Sequence, residues 1–183
     1  MANTITARWT DWDGQGLEHL VLRIGETGIV AEGVILASGA QSIAAIYRVQ
    51  CNMRWRVRAA AVSLVETDEA LMLTADGIGN WFDEERAPLR RLQGAIDIDL
   101  SLSPFTNSLP IRRTRLEIGE SIDITAAYIS LPDLAVAPDP QRYTRIAERR
   151  YRFDSLDSDF SREIEFDDNG LVVTYEGMFR RVL

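Results

Sequence analysis

The sequence has no lysine, one cysteine and one histidine among its 183 residues. A lone cysteine, Cys51, cannot form an internal disulfide, which excludes the small disulfide-stabilised scaffolds of secreted proteins. One histidine and one distant cysteine also exclude the usual zinc sites, so we expect no metal and no cofactor. All 20 basic residues are arginines, and their planar guanidinium groups suit carboxylates, phosphates or sugar hydroxyls.

The sequence also lacks long apolar runs and an excess of positive charge. No stretch approaches the ~18 apolar residues that a membrane-spanning helix needs. The first residues show neither the basic nor the apolar region of a secretory signal, so a cytoplasmic location is expected. The net charge of −8 makes binding to nucleic-acid phosphates unfavourable.

What the sequence does contain is a series of short alternating segments with turn residues between them. Strand-like runs recur about every 8–15 residues. The segment 83–92 has some helical character, but Pro88 limits it to one short turn. Residues 131–140 contain three prolines and are expected to form an extended crossing loop. The pattern predicts a single all-β domain over residues 1–183, either a many-stranded antiparallel β-sandwich or an unclosed β-barrel with little helix.

One segment, residues 94–116, concentrates the side chains that could carry chemistry. Its first half alternates apolar and polar residues, which predicts a strand with one apolar and one polar face. A polar loop and an arginine pair follow, a combination suited to hydroxyl or phosphate recognition. Side chains that cap their own loop are an equally open interpretation. The candidate binding residues of this segment are Asp97, Asp99, Phe105, Thr106, Asn107, Arg112 and Arg113.

Further candidates lie outside this segment. Trp81 and Trp12 lie in loops rich in glycine and aspartate, where an indole could stack on a sugar. Trp55 lies on an apolar strand face and is expected in the core. Arg56 belongs to an arginine stripe, residues 54–58, which we expect to face the two aspartates of the central strand.

Glu18 and His19 complete the candidate set, and both bear on a possible catalytic role. The Cα atoms of Asp97 and Asp99 are expected ~6.6 Å apart, a spacing that glycoside hydrolases use but that any alternating strand produces. Glu18 and His19 are neighbours on one strand, so their side chains face opposite ways. The chain has no serine nucleophile elbow and no dinucleotide-binding glycine motif. Catalysis therefore stays open, and a non-catalytic role is favoured.

These residues resemble the bacterial family of putative glycolipid-binding proteins. The resemblance runs almost end to end and is most specific over residues 104–113. Ala95 stands where relatives have cysteine, and Ser108 replaces a threonine, so no thiol role is implied. Shorter motifs that support the resemblance lie at 16–19, 55–58, 76–81, 97–100, 141–143 and 168–171.

The resemblance implies a β-sandwich or unclosed barrel similar to the carriers that move lipoproteins to the bacterial outer membrane. It further implies a concave apolar cavity for acyl chains, with head-group residues at its mouth. We therefore predict a non-enzymatic binding protein for an amphipathic ligand such as a glycolipid, with Trp81 or Phe105 stacking on the head group. One alternative is a hydrolase or lyase for a sugar or small acid, using Asp97 or Asp99 with Glu18 or His19. Another is a structural or partner-binding β domain, dimeric through an unclosed sheet edge.

Overall fold

The computed structural model describes residues 3–38 and 42–183. Within these residues, fourteen strands form one sheet, and the chain is 53% strand and 8% helix. The strands are β1 Asn3–Asp11, β2 Leu17–Ile24, β3 Ile29–Ala37, β4 Ile43–Cys51, β5 Val57–Leu64, β6 Ala70–Ala75, β7 Trp81–Phe82, β8 Asp97–Leu100, β9 Ser121–Ile129, β10 Val136–Arg145, β11 Arg150–Ser155, β12 Ser161–Phe166, β13 Val172–Tyr175 and β14 Phe179–Arg181.

The strands follow a simple order across the sheet. They run from β7 back to β1, and then from β14 back to β8. Neighbouring strands are antiparallel, except that β8 lies parallel to β9. The edge strands β7 and β8 are consecutive in the chain but lie at opposite ends of the sheet, which is not closed into a barrel. The predicted all-β, mostly antiparallel fold is thus confirmed in its unclosed form.

The sheet curls around a common interior. Open sheets of this width rarely stay flat, because twist accumulates from strand to strand. Side chains from distant strands meet in one buried cluster, including Leu20 and Tyr47 from one half and Phe153 and Tyr175 from the other. Strand β5 also contacts β8, although β8 is the opposite edge strand. The inner face therefore supplies the core, and the outer face is exposed to water.

The polar part of the central segment forms helix rather than the loop expected from its sequence. Residues Pro104–Asn107 form a 3₁₀ turn, and Ser108–Thr114 form the helix α1. Pro110 is tolerated because it lies in the first turn, where backbone N–H groups have no partner within the helix. Leu109 and Ile111 are buried, as is the whole of the 3₁₀ turn. We call residues 104–114 the inner helical segment, since the curled sheet surrounds them.

The proline-rich stretch differs from its prediction as well. Strand β10 begins at Val136 and includes Pro138 and Pro140, which lie opposite Ala127 and Thr125 of β9. On its other side, β10 pairs with β11 only from Gln141 onward. The prolines fit because no strand on that side requires their missing N–H groups. The same lack of cover leaves one end of the interior open.

Candidate functional site

Two cavities lie against the two ends of the inner helical segment. Each has a volume of about 450 Å³. The first, which we call the aromatic pocket, is bordered by Phe153, Phe160, Tyr175 and Phe179 together with polar groups. The second, which we call the arginine pocket, is bordered by Arg112, Arg115, Arg145 and Arg149.

The aromatic pocket has a wall of four rings contributed by β11, β13, β14 and the turn before β12. Phe153 packs against Phe160 with ring centroids 5.9 Å apart and against Tyr175 at 6.2 Å. Tyr175 in turn lies 6.3 Å from Phe179. Such rings present flat apolar surfaces that suit the C–H face of a sugar or an alkyl chain.

A hydrogen-bonded polar group forms another part of the same pocket. Asp99 accepts hydrogen bonds from Thr106 Oγ1 at 2.9 Å and from Gln141 Nε2 at 2.7 Å. Gln141 Nε2 also donates to Asp139 Oδ2 at 2.7 Å. Asp99 and Asp139 both border the pocket. The shared amide holds the two carboxylates as neighbouring acceptors, which suits recognition of ligand hydroxyl groups.

The electrostatics of these carboxylates follow from burial. Burial raises the pKa of Asp99 to about 6, although the hydrogen bonds from Thr106 and Gln141 oppose the shift. Burial likewise raises the pKa of Asp139. In the described part of the chain, neither carboxylate forms an ion pair with an arginine. With a pKa of about 6, Asp99 remains largely an ionised acceptor at neutral pH.

Asn107 both braces the segment and borders the pocket. Its Oδ1 accepts a hydrogen bond from Tyr143 Oη at 3.0 Å, while the residue lines the pocket. The amide nitrogen is then the group left to donate to a ligand. Thr106 stabilises its own segment, since its hydroxyl donates to Asp99 and lies 3.0 Å from the carbonyl oxygen of Ser103. The structure therefore shows these side chains bracing their own segment, while ligand recognition by Asn107 stays a prediction.

Glu18 lies directly behind the pocket wall. It points inward from β2, and its Oε1 accepts hydrogen bonds from Tyr47 Oη and from Ser103 Oγ, the latter at 2.7 Å. Burial raises the pKa of Glu18 to about 7, although hydrogen bonds from Tyr47, Ser103 and the backbone of Phe105 oppose the shift. Ser103 borders the aromatic pocket, so Glu18 acts on the pocket only through that hydroxyl.

His19 faces away from the site, as its alternation with Glu18 requires. Its Nδ1 accepts a hydrogen bond from Arg8 Nε at 2.9 Å on the outer face of the sheet. The predicted acid–base combination of His19 with Asp97 or Asp99 therefore does not form, because the sheet separates them.

Asp97 is paired differently from its neighbour Asp99. It is buried and binds the guanidinium of Arg113 on α1 through both carboxylate oxygens, with Nε–Oδ1 and Nε–Oδ2 distances of 3.0 and 3.1 Å. The polar face of β8 is thus covered by the inner helical segment instead of the arginine stripe. Arg56 acts on Asp97 only electrostatically, and its Nη1 donates to the carbonyl of Gly77 at 3.0 Å. Asp97, Arg113 and Arg56 border neither of these two pockets, although Arg113 borders a separate cavity beside β9. Their predicted part in ligand binding stays a prediction.

The predicted aromatic contacts also fall in the core. Trp81 is 1% exposed, and its indole N–H donates to the carbonyl of Ala95 at 2.8 Å. Phe105 is buried and stacks on Tyr47 with ring centroids 6.3 Å apart. Trp12 is exposed but borders neither pocket. Burial of Trp81 and Phe105 leaves little ring surface for a ligand, whereas the exposed indole of Trp12 borders a separate cavity beside β12 and β13.

Similar proteins agree with the family resemblance that is most specific over residues 104–113. The sequence profile of the family described as "Putative glycolipid-binding" matches residues 6–181. The chain belongs to this family. The crystal structure of a DUF1089 family protein from Pseudomonas aeruginosa is similar, with 33% sequence identity and a TM-score of 0.82, over 90% of this chain and 92% of that one. No curated protein matches the sequence.

Two absences in the described residues bear on the site of this glycolipid-binding family member. No helix in residues 3–38 and 42–183 is long and apolar enough to cross a membrane. The same residues contain no group of three or more histidine, cysteine, aspartate or glutamate side chains placed to hold a metal ion.

The predicted polar set is divided between the two pockets. Asp99 and Asn107 border the aromatic pocket, whereas Arg112 borders the arginine pocket. Sequence reasoning missed Asp139, because a proline-rich stretch was expected to be loop. It also missed Phe153, although the alternation of aromatic residues after 151 was a usable signal.

Proposed function

We propose that this protein binds an amphipathic ligand of the glycolipid class in the aromatic pocket. One observation carries the proposal: a single cavity joins an aromatic wall to a fixed group of hydrogen-bond acceptors. A sugar has the matching surfaces, since its ring faces are apolar C–H groups and its edges are hydroxyls. The family to which the chain belongs supports a binding role.

The size of the pocket limits how the ligand fits. A volume of about 450 Å³ lies within the ~300–1,000 Å³ of typical ligand sites. A head group and the first part of an alkyl chain would fill it. Each buried methylene group adds about 0.8 kcal/mol, so partial burial of the chain is sufficient for useful affinity. The rest of the chain would leave where β11 does not cover β10.

The geometry favours binding over hydrolysis. Arg113 neutralises Asp97, and His19 lies on the outer face. Asp99 and Asp139 share the amide of Gln141, which fixes both as acceptors.

Association of two copies through the sheet edges stays a prediction.

A titration with octyl glucoside, kept below its micelle-forming concentration, tests the proposal directly. Isothermal titration calorimetry should show tighter binding of octyl glucoside than of glucose or octanol alone. Asp99→Asn should weaken the binding about tenfold or more, because it removes a charged acceptor. The matched control, Asp123→Asn, changes an exposed carboxylate outside the pocket and should leave the affinity unchanged.

Two results would contradict the proposal: no binding of octyl glucoside, or equal binding by the wild type and Asp99→Asn. Native mass spectrometry of protein purified from its own host provides an independent check. It should detect a lipid with a hydroxylated head group that co-purifies with the wild type and is depleted in the variant.

A further inference from the structure

The arginine pocket has no part in the proposed function, yet it has features of a prepared site. It lies at the C-terminal end of α1, whereas the aromatic pocket lies near the start of the inner helical segment. Four arginines and four carboxylates border it, so the formal charges of its lining balance. What distinguishes the cavity is therefore which of these charged groups already have partners.

Arg112 is held in place without using its hydrogen-bond donors. Its Cζ lies 4.7 Å from the ring centroid of Trp55, a cation–π contact. Its methylene groups pass close to Gly170, where an added Cβ would lie 2.5 Å from Arg112 Cδ. Within the described residues, no carboxylate or carbonyl accepts a hydrogen bond from this guanidinium. The side chain is therefore oriented, and its donors remain available.

Arg115 adds a second guanidinium with unused donors. It ends α1 in the left-handed region with a φ of 51°, and no side-chain partner is found for it in the described part of the chain. Burial, and then the charge of Arg115, lower the pKa of Arg112, while the negative charge of Asp167 opposes the shift. Trp55, beneath Arg112, also adopts a positive φ, 60°. Positive φ values at non-glycine residues are costly, and such residues concentrate at functional sites.

Other charges of the arginine pocket already have partners. Asp167 binds Arg181, and Asp168 binds Arg149. Arg145 donates to three backbone carbonyls, those of residues 116, 147 and 148. The acids Glu117 and Glu148 border the cavity with exposed side chains. Among the four arginines of the cavity, Arg112 and Arg115 are the two whose guanidinium groups form neither a hydrogen bond nor an ion pair within the described residues.

We propose that the arginine pocket binds the phosphate group of a ligand through Arg112 and Arg115. A tetrahedral anion offers several acceptor oxygens, and two guanidinium groups can each donate two parallel hydrogen bonds to it. Binding would also relieve the repulsion between the two cations. The phosphate source is either a soluble phosphate ester or a lipid head group. This site is separate from the aromatic pocket and does not depend on the function proposed there.

Calorimetric titration with inorganic phosphate, at constant ionic strength set by chloride, tests the site. Wild-type protein should bind phosphate, and Arg112→Gln should bind it about ten- to a hundredfold more weakly, as expected for lost charged hydrogen bonds. Arg112→Lys should recover only part of the affinity, because an ammonium cannot form the paired contact. Arg115→Gln, which changes an exposed residue, tests the site even if Arg112→Gln folds poorly.

The control is Arg180→Gln, which removes the same charge at an exposed position outside the cavity. Co-sedimentation with phosphatidylcholine vesicles, with and without a tenth of phosphatidic acid, distinguishes a lipid source from a soluble one. Dependence of either probe on Arg112 and Arg115 supports the site. If neither probe binds, or if Arg180→Gln weakens binding as much as Arg112→Gln does, the proposal is wrong.

Discussion

The two halves of the sheet enclose their interiors differently. In the half formed by β1–β7, side chains such as Leu20 and Tyr47 fill the inner face. In the half formed by β8–β14, the inner face borders both pockets, and every residue that lines them lies between 99 and 179. The first half therefore serves as a packed support, and the second half carries the candidate sites.

The inner helical segment joins the two halves, and its contacts explain their difference. Toward the first half it offers ring contacts, with Phe105 on Tyr47 and Arg112 over Trp55. Toward the second half it offers hydrogen bonds, such as that between Asn107 and Tyr143. Close apolar packing leaves few voids in the first half, whereas on its other side the segment lies beside the two pockets. Four predictions test this comparison, in order of decreasing expected effect.

The largest effect is expected from Arg113→Ala, which breaks the attachment of α1 to β8. The substitution leaves Asp97 buried and unpaired, which should lower the free energy of unfolding by about 3–5 kcal/mol. Urea denaturation measures the change. Arg142→Ala, which breaks the exposed pair with Asp123, is the control and should cost less than about 1 kcal/mol. Similar losses for the two variants would show that the buried pair does not anchor the segment.

The second prediction concerns Glu18, where the first half meets the wall of the aromatic pocket. Its folded-state pKa of about 7 lies above the usual 4.5, so the folded protein holds the proton more tightly than the unfolded chain. Stability should therefore fall as the pH rises from about 4.5 to 7, by about 2–3 kcal/mol from this carboxyl. Asp99, with a pKa raised to about 6, adds to the same trend at lower pH.

Glu18→Gln checks this prediction because it cannot ionise. Urea denaturation from pH 5 to 8 should show a flatter profile for the variant, which should be the more stable protein at pH 8. Parallel profiles for variant and wild type would mean that Glu18 is not the group that titrates.

The third prediction tests how closely the first half is packed. A Cβ added at Gly33 would lie 2.3 Å from the ring of Tyr47. Gly33→Ala should therefore lower the free energy of unfolding by about 1–3 kcal/mol through overpacking. Gly25→Ala is the comparison and should cost less, since the nearest atom to its added Cβ is a backbone oxygen at 3.5 Å, an ordinary contact. If Gly33→Ala is tolerated without cost, the first half is less tightly filled than the structure shows.

The smallest effect on stability is expected in the second half. Phe160 is only partly buried and borders the aromatic pocket, so Phe160→Ala should cost about 1 kcal/mol or less in unfolding experiments. It should nevertheless weaken octyl glucoside binding, because one wall of the pocket is lost. Leu156→Ala changes an exposed residue outside that pocket and is the control. A large loss of stability with unchanged affinity would assign Phe160 to the core.

The sequence predicted the strands well because their signal is local. The predicted series of short alternating strands with turn residues between them agrees with the fourteen strands of the described residues, such as β3 at Ile29–Ala37. Prediction was poorer for residues 104–114. Their polar side chains indicated a loop, but Thr106, Asn107 and Arg113 find partners on distant strands.

The sequence by itself determined the strand periodicity, the acidic charge and the resemblance to a glycolipid-binding family, since each depends on residue identity or near neighbours. The division of the polar set was decided only by the tertiary structure. Asp97 and Asp99 are two residues apart in one strand, yet one is neutralised by Arg113 and the other borders a pocket with Asp139. That difference arises because helix α1 covers β8 only in part, and burial by distant residues sets which charges are compensated.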